Sequence, residues 1–217
     1  MSNDTNLNFI HRFIPSSNSL GKEYPTLLLL HGTGGNEDDL IQIGKMISPH
    51  SSLLSPRGKV LEHGMPRFFR RLAEGVFDIK DLKFRTSELA KFVHDSSVKY
   101  SFDLNKTVAI GFSNGANIAA SLLLLNPETI NGAILFRAMK PFTPDNLPDL
   151  SNKQVLLSAG LIDPIVSKSE IDGLFNLLQN SGANVTIKWQ QSGHNINEKD
   201  VSDAKEWLSK KKFLLKN

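Results

Sequence analysis

The sequence contains no cysteine. That excludes disulfides, thiolate metal sites and a cysteine nucleophile, so stability has to come from packing. Long apolar runs are also missing. The longest, Leu27 to Leu30 and Leu122 to Leu125, fall far short of the ~20 residues needed to cross a bilayer. Met1 to Asn8 is polar and has no basic region leading into an apolar stretch, so no signal peptide is visible. Together these features lead us to expect a cytoplasmic protein with no membrane span.

Neither sign of charge dominates. There are 25 basic and 22 acidic residues, a net charge of +3 that Lys210, Lys211 and Lys212 are enough to explain. These lysines read as a solvated tail. Basic residues interleaved with exposed aromatics are not seen, so nucleic acid is not an expected partner. Neither G-x-x-x-x-G-K-[ST] nor G-x-G-x-x-G is present, and no histidine–carboxylate cluster has metal spacing. No cofactor or metal is expected. Repeats, low-complexity segments and linkers are absent as well. The 217 residues fit a single domain over 1–217, with flexible tails expected at 1–8 and 210–217. A chain of this size buries roughly 70–75% of the surface its unfolded form exposes.

What the chain does have is regular alternation of strand and helix patterns. Phe9 to Ile14 reads as an edge strand, and Ser16 to Gly21 as a turn. Thr26 to Leu30 is a continuous apolar run, as in a strand covered on both faces. Asn36 is placed to cap a helix reaching Ile47, with Glu37, Asp38 and Asp39 in its first turn. Ser51 to Leu54 reads as a strand and Asp78 to Tyr100 as a long amphipathic helix. Strands at 107–110, 132–136, 154–159 and 185–189 alternate with helices at 116–125, 167–180 and 197–209. The expected fold is a three-layer α/β sandwich, its mostly parallel sheet covered by helices on both faces. Ligands bind such sheets beyond the carboxyl ends of the strands. Only about 17 residues separate Phe136 from Gln154, too few for a large helical cap. The longest irregular stretch, Ser55 to Phe77, is long enough to suggest a functional loop.

Gly111-Phe112-Ser113-Asn114-Gly115 lies between the apolar run Thr107 to Ile110 and a helical run. Strand, sharp turn and helix around G-x-S-x-G define a nucleophile elbow. The turn holds a serine hydroxyl clear of the sheet edge, and small flanking residues let strand and helix approach. G-x-S-x-G also arises by chance, so the test is whether an acid and then a histidine follow. Asp163 lies just past the end of the next strand but one; its alternative role is a turn or cap aspartate. Asp145 and Asp149 are rivals within a proline-rich connection, away from any strand end. His194 follows the last strand and is the only histidine beyond Ser113; its alternative is a surface histidine. His31-Gly32-Thr33-Gly34-Gly35 follows the first buried strand. Its glycines let backbone amides turn toward the site, and the N–H groups of Thr33 and Asn114 are the candidate oxyanion donors. A phosphate cradle is the competing use of such a loop. His31 reads as a structural hydrogen-bonding residue.

From Leu27 onward the chain resembles the carboxylesterase/phospholipase branch of the α/β-hydrolases, which includes acyl-protein thioesterases. The resemblance rests on Leu27 to Glu37, on Gly111 to Gly115 and on the turns carrying the acid and the histidine. Ser55-Pro56-Arg57-Gly58, with Phe68 and Phe69 after it, is similar to the small prokaryotic carboxylesterases of that branch. The resemblance implies Ser113 as nucleophile, His194 as base, Asp163 as acid, and oxyanion donors at Thr33 and Asn114. Three departures concern substrate preference. Asn114 stands where the family commonly has glutamine, Ala116 where it has glycine, and Ala159-Gly160 where a histidine–glycine pair often precedes the acid turn.

The expected partner is a small ester. Met65, Phe68, Phe69, Phe77 and Met139 are candidates for the substrate pocket, with ordinary core or loop packing as the alternative for each. A lining of this kind suits short acyl or aryl esters; thioesters, lysophospholipids and lactones use the same triad. A neutral base is required, so activity is expected to rise with pH through about 6–7.5. A complete triad argues against a non-catalytic receptor. A homodimer stays open, with no sequence feature arguing for it.

Overall fold

The computed structural model of the protein describes residues 7–17 and 24–211. β1 (His11–Ile14) and β2 (Thr26–Leu30) lead into α1 (Ile41–Ile47) and β3 (Ser52–Pro56). Four short strands follow: β4 (Val60–Glu62), β5 (Met65–Arg67), β6 (Arg71–Ala73) and β7 (Val76–Phe77). The chain continues through α2 (Ile79–Tyr100), β8 (Thr107–Phe112), α3 (Asn114–Leu125) and β9 (Gly132–Phe136). It ends with β10 (Gln154–Gly160), α4 (Lys168–Asn180), β11 (Asn184–Gln190) and α5 (Glu198–Ser209).

Seven strands make the main sheet, in the order β1-β3-β2-β8-β9-β10-β11. β1 is antiparallel to β3, and every other pairing is parallel. Period-two alternation sends successive side chains to opposite faces. Leu28, Leu30 and Ala109 join the core beneath α2, α3 and α4, with Leu89, Phe92, Leu122 and Leu174. Leu27, Leu29, Val108 and Ile110 face α1 and α5, with Ile47, Val201 and Trp207. Both faces are covered, which is why β2 reads as four consecutive leucines. Three helices begin where a side chain satisfies free amides: Asp78, Ser167 and Asn197 cap α2, α4 and α5, the last in a capping box with Asp200.

The chain runs outward from β2 to β3 on one side and from β8 to β9 on the other. The strand order therefore reverses between β2 and β8, and their carboxyl ends open a crevice there. The connection from β9 to β10 carries no helix or strand, as its length predicts.

Two expectations need correction. Asn36 does not cap α1. Its side chain accepts the Asp38 N–H at 2.8 Å in a local turn, and the helix starts only at Ile41, with no acidic residue in its first turn. The stretch 55–77 is not irregular: it folds into two hairpins, β4–β5 and β6–β7. The first turns at His63-Gly64, both with positive φ (50° and 81°), as a tight two-residue hairpin requires. At the two ends, some residues of the expected tails make contacts. Leu7 packs against the core, Lys210 pairs with Glu206, and Lys211 lies over the Trp207 ring and bonds to Gln154. Lys212 and most of the expected 16–21 turn lie outside the described residues.

Candidate active site

β8 ends at Phe112 and α3 begins at Asn114, leaving Ser113 alone in the turn with φ 50° and ψ −113°. Such a conformation costs a residue with a side chain on the order of 1–3 kcal/mol. It is held from both sides. The Ser113 N–H donates to Phe136 O at 2.9 Å, and Ser113 O accepts the Asn117 N–H at 2.9 Å. The flanking glycines are required by contact. A Cβ on Gly115 would lie 1.9 Å from Leu30 O, and one on Gly111 would lie 2.5 Å from Gly115 O. Only glycine lets α3 start so close to β2.

The Ser113 hydroxyl lies 2.8 Å from His194 Nε2, and His194 Nδ1 lies 2.8 Å from Asp163 Oδ2. The Asp163 carboxylate is fully buried, whereas the imidazole keeps 15% of its surface exposed. The other carboxylate oxygen of Asp163 accepts the amides of Ile165 (2.8 Å) and Val166 (3.1 Å). Asp163 therefore caps its own turn and still presents Oδ2 to the histidine. Of the two rival aspartates on the 137–153 connection, Asp149 accepts the Ser151 amide instead.

Thr33 and Asn114 line the same cavity as Ser113, and their amides have no acceptor among the described residues. For Asn114 this follows from position, since the first N–H groups of a helix have no partner within it. Gly34, with φ +84°, turns the first loop, and its N–H donates to Pro66 O at 2.9 Å. The Thr33 hydroxyl accepts Arg67 Nη1 at 3.0 Å. His31 is a structural residue of this loop. Its Nε2 accepts the Gly58 N–H at 2.9 Å and its Nδ1 bonds Gly32 O at 2.6 Å. Burial pushes His31 below its ordinary value, which favours the neutral ring. The loop is tied to β3 by a bidentate pair between Arg57 and Glu37, which holds the Glu37 carboxyl below the usual range.

A cavity of about 280 Å³ opens over Ser113 and His194. Of the expected pocket residues, Phe77 and Met139 line it. Phe68 and Phe69 do not: they are buried in the core at 2% and 0% exposure. The Phe68 amide is bound by the Asn114 side chain at 2.8 Å, which pins this segment inward. Met65 is exposed on the hairpin beside Gly34 and does not line the cavity. The walls are more polar than expected, because Arg67, Arg71 and Glu74 join Phe112, Asn117 and Ile165. Arg67 and Arg71 share Glu62 as a counter-ion. Arg67 and Arg71 carry no signal in the sequence, because β5 and β6 are only three residues long and show no period that tells which way a side chain faces.

A three-layer α/β sandwich with a serine at an elbow and a hydrogen-bonded Ser-His-Asp chain on the loops is the α/β-hydrolase architecture. Residues 14–212 match the Phospholipase/Carboxylesterase family, and the chain belongs to it. MhqD of Bacillus subtilis (strain 168) is 48% identical over 181 residues, covering 83% of this chain and 90% of that protein. The crystal structure of the Bacillus cereus carboxylesterase superposes with a TM-score of 0.91 at 48% identity, covering 95% of this chain and 96% of that one. A carboxylesterase from Mesorhizobium loti gives a TM-score of 0.86 at 30% identity, covering 95% of this chain and 97% of that one. The chain is thus a hydrolase of the carboxylesterase/phospholipase family.

Proposed function

We propose that this protein is a serine carboxylesterase that hydrolyses short-chain or aryl esters through an acyl-enzyme. The observation that carries the reading is the unbroken chain Asp163 Oδ2–His194–Ser113 Oγ, with 2.8 Å at each contact. Asp163 accepts a hydrogen bond from Nδ1–H, which fixes the tautomer and leaves Nε2 free to accept from the serine hydroxyl. As Oγ attacks the ester carbonyl, its proton passes to Nε2, and the imidazolium is stabilised by Asp163. The carbonyl oxygen becomes an oxyanion, met by the Thr33 and Asn114 amides. His194 then protonates the leaving alcohol. In the second half the same base activates water, which releases the acid and frees Ser113.

The small cavity and the apolar side chains of Phe77 and Met139 support short acyl or aryl groups. The test is hydrolysis of p-nitrophenyl acetate and butyrate by the wild type and by Ser113→Ala. The proposal expects turnover in the wild type and its loss in the variant. Equal turnover by both would overturn it. Parallel assays with a thioester, a lysophospholipid and a lactone decide which ester class is preferred.

A further inference from the structure

The residue after β9 links both halves of this site. Phe136 O accepts the Ser113 N–H, and the next residue, Arg137, has a left-handed φ of 57°. That conformation is uncommon for a residue with a side chain. Its N–H donates to Ser158 O at 2.9 Å. The turn drives the guanidinium under the loop after β11, where the residue is 1% exposed.

There Nε donates to Gly193 O at 3.0 Å, and Nη2 donates to Asn195 O at 2.6 Å. Gly193 and Asn195 are the two neighbours of His194. Nη2 also reaches Ser192 Oγ at 2.9 Å, and Nη1 reaches Ser158 O at 3.0 Å. The fork closes on Asp200 at 2.9 and 2.7 Å, a pair with both side chains at 0% exposure. Asp200 is itself fixed by the Asn197 amide at 2.9 Å and by the Ser158 hydroxyl.

Every N–H of the guanidinium has an acceptor, and a buried charge needs that degree of compensation. A lysine would keep the charge but not the planar fork, which grips the loop on both sides of the histidine. Misplacing a reacting group by about 1 Å can cost on the order of 10²-fold in rate. We propose that Arg137, paired with Asp200, is a positioning residue that holds the His194 imidazole between Ser113 and Asp163. The proposal rests on His194 being the base of the esterase.

The test compares wild type with Arg137→Lys by ester hydrolysis, thermal unfolding and the low-field proton signal of His194 Nδ1–H, assigned by its absence in His194→Gln. The expected result is a cooperatively folded variant with kcat down about 10–100-fold, KM within about threefold, and the low-field signal lost or broadened. A folded variant that keeps both kcat and the signal overturns the proposal. If Arg137→Lys does not fold, Asp200→Asn decides, since it keeps the shape of the side chain but removes the charge that fixes the guanidinium beneath the His194 loop. There kcat has to fall by roughly threefold or more at constant KM, and an unchanged kcat overturns the proposal. A wild type without Ser113-dependent turnover would sink the esterase reading instead, and the proton signal would still report on Arg137.

Discussion

Asn114 Oδ1 holds the main-chain amide of Phe68 at 2.8 Å, joining the start of α3 to the segment between the two hairpins. The residue after the serine therefore has two separate jobs in the proposed mechanism. Its side chain pins one wall of the cavity, and its main-chain N–H is left for the proposed oxyanion. Asn114→Ala separates the two. A buried amide without its acceptor costs about 1–3 kcal/mol, to be read by urea denaturation. The variant keeps the backbone donor, so kcat is expected to fall by less than the roughly 10²–10³-fold typical of losing such a donor.

Asp163 divides its oxygens between the Ile165 and Val166 amides and the imidazole. Asparagine preserves the acceptor for the amides but not the charge that orients the ring. Asp163→Asn is expected to fold normally by thermal melting and to lose about 10³–10⁴-fold in kcat. Activity within tenfold of wild type would remove Asp163 from the triad.

Gly115 and Gly173 form an internal contrast. An added Cβ at Gly115 would meet Leu30 O at 1.9 Å, while one at Gly173, inside α4, meets only the Lys140 side chain at 3.8 Å. Gly115→Ala has to push α3 from β2 and is expected to destabilise by more than about 3 kcal/mol. Gly173→Ala is expected to stabilise by about 0.5–1 kcal/mol, from helix propensity. Chemical denaturation of the two variants reads both signs.

His31 gives stability a pH dependence. Burial holds its folded-state value below the ordinary 6.5, with the Gly32 carbonyl opposing the shift only in part. As pH falls through about 6.5 the unfolded chain takes up a proton that the folded ring resists, so the unfolded state gains. Stability from this group is complete above that value and is lost as pH drops toward the folded-state value. Thermal melting from pH 8 to 5 is expected to show a smaller acid-side decline in His31→Gln, which keeps an acceptor for the Gly58 amide, than in wild type.

Much of the fold could be read in advance because its signals are local. β2 and β9 appear as uninterrupted apolar runs, and helix caps at Asp78, Ser167 and Asn197 mark helix starts. The elbow serine, acid and histidine follow strand ends in chain order. What escaped reading depends on contacts distant in sequence. Asn36 has the right side chain for a cap, but the chain uses it in a turn before a later helix. The strands of the hairpins are too short to show a period. Phe68 and Phe69 turn inward because Asn114, 46 residues beyond Phe68, takes the Phe68 amide. Arg137 bonds mainly to backbone carbonyls and to an aspartate 63 residues away, and no motif records such partners.

In the proposed esterase, Ser113 is the nucleophile and His194 activates it. The most direct test is covalent labelling with a fluorophosphonate, with the modified peptide located by mass spectrometry in wild type and in His194→Ala. Stoichiometric modification of Ser113 is expected in wild type, with labelling slowed by orders of magnitude when His194 is removed. Modification at another residue, or labelling of Ser113 that does not depend on His194, would contradict it.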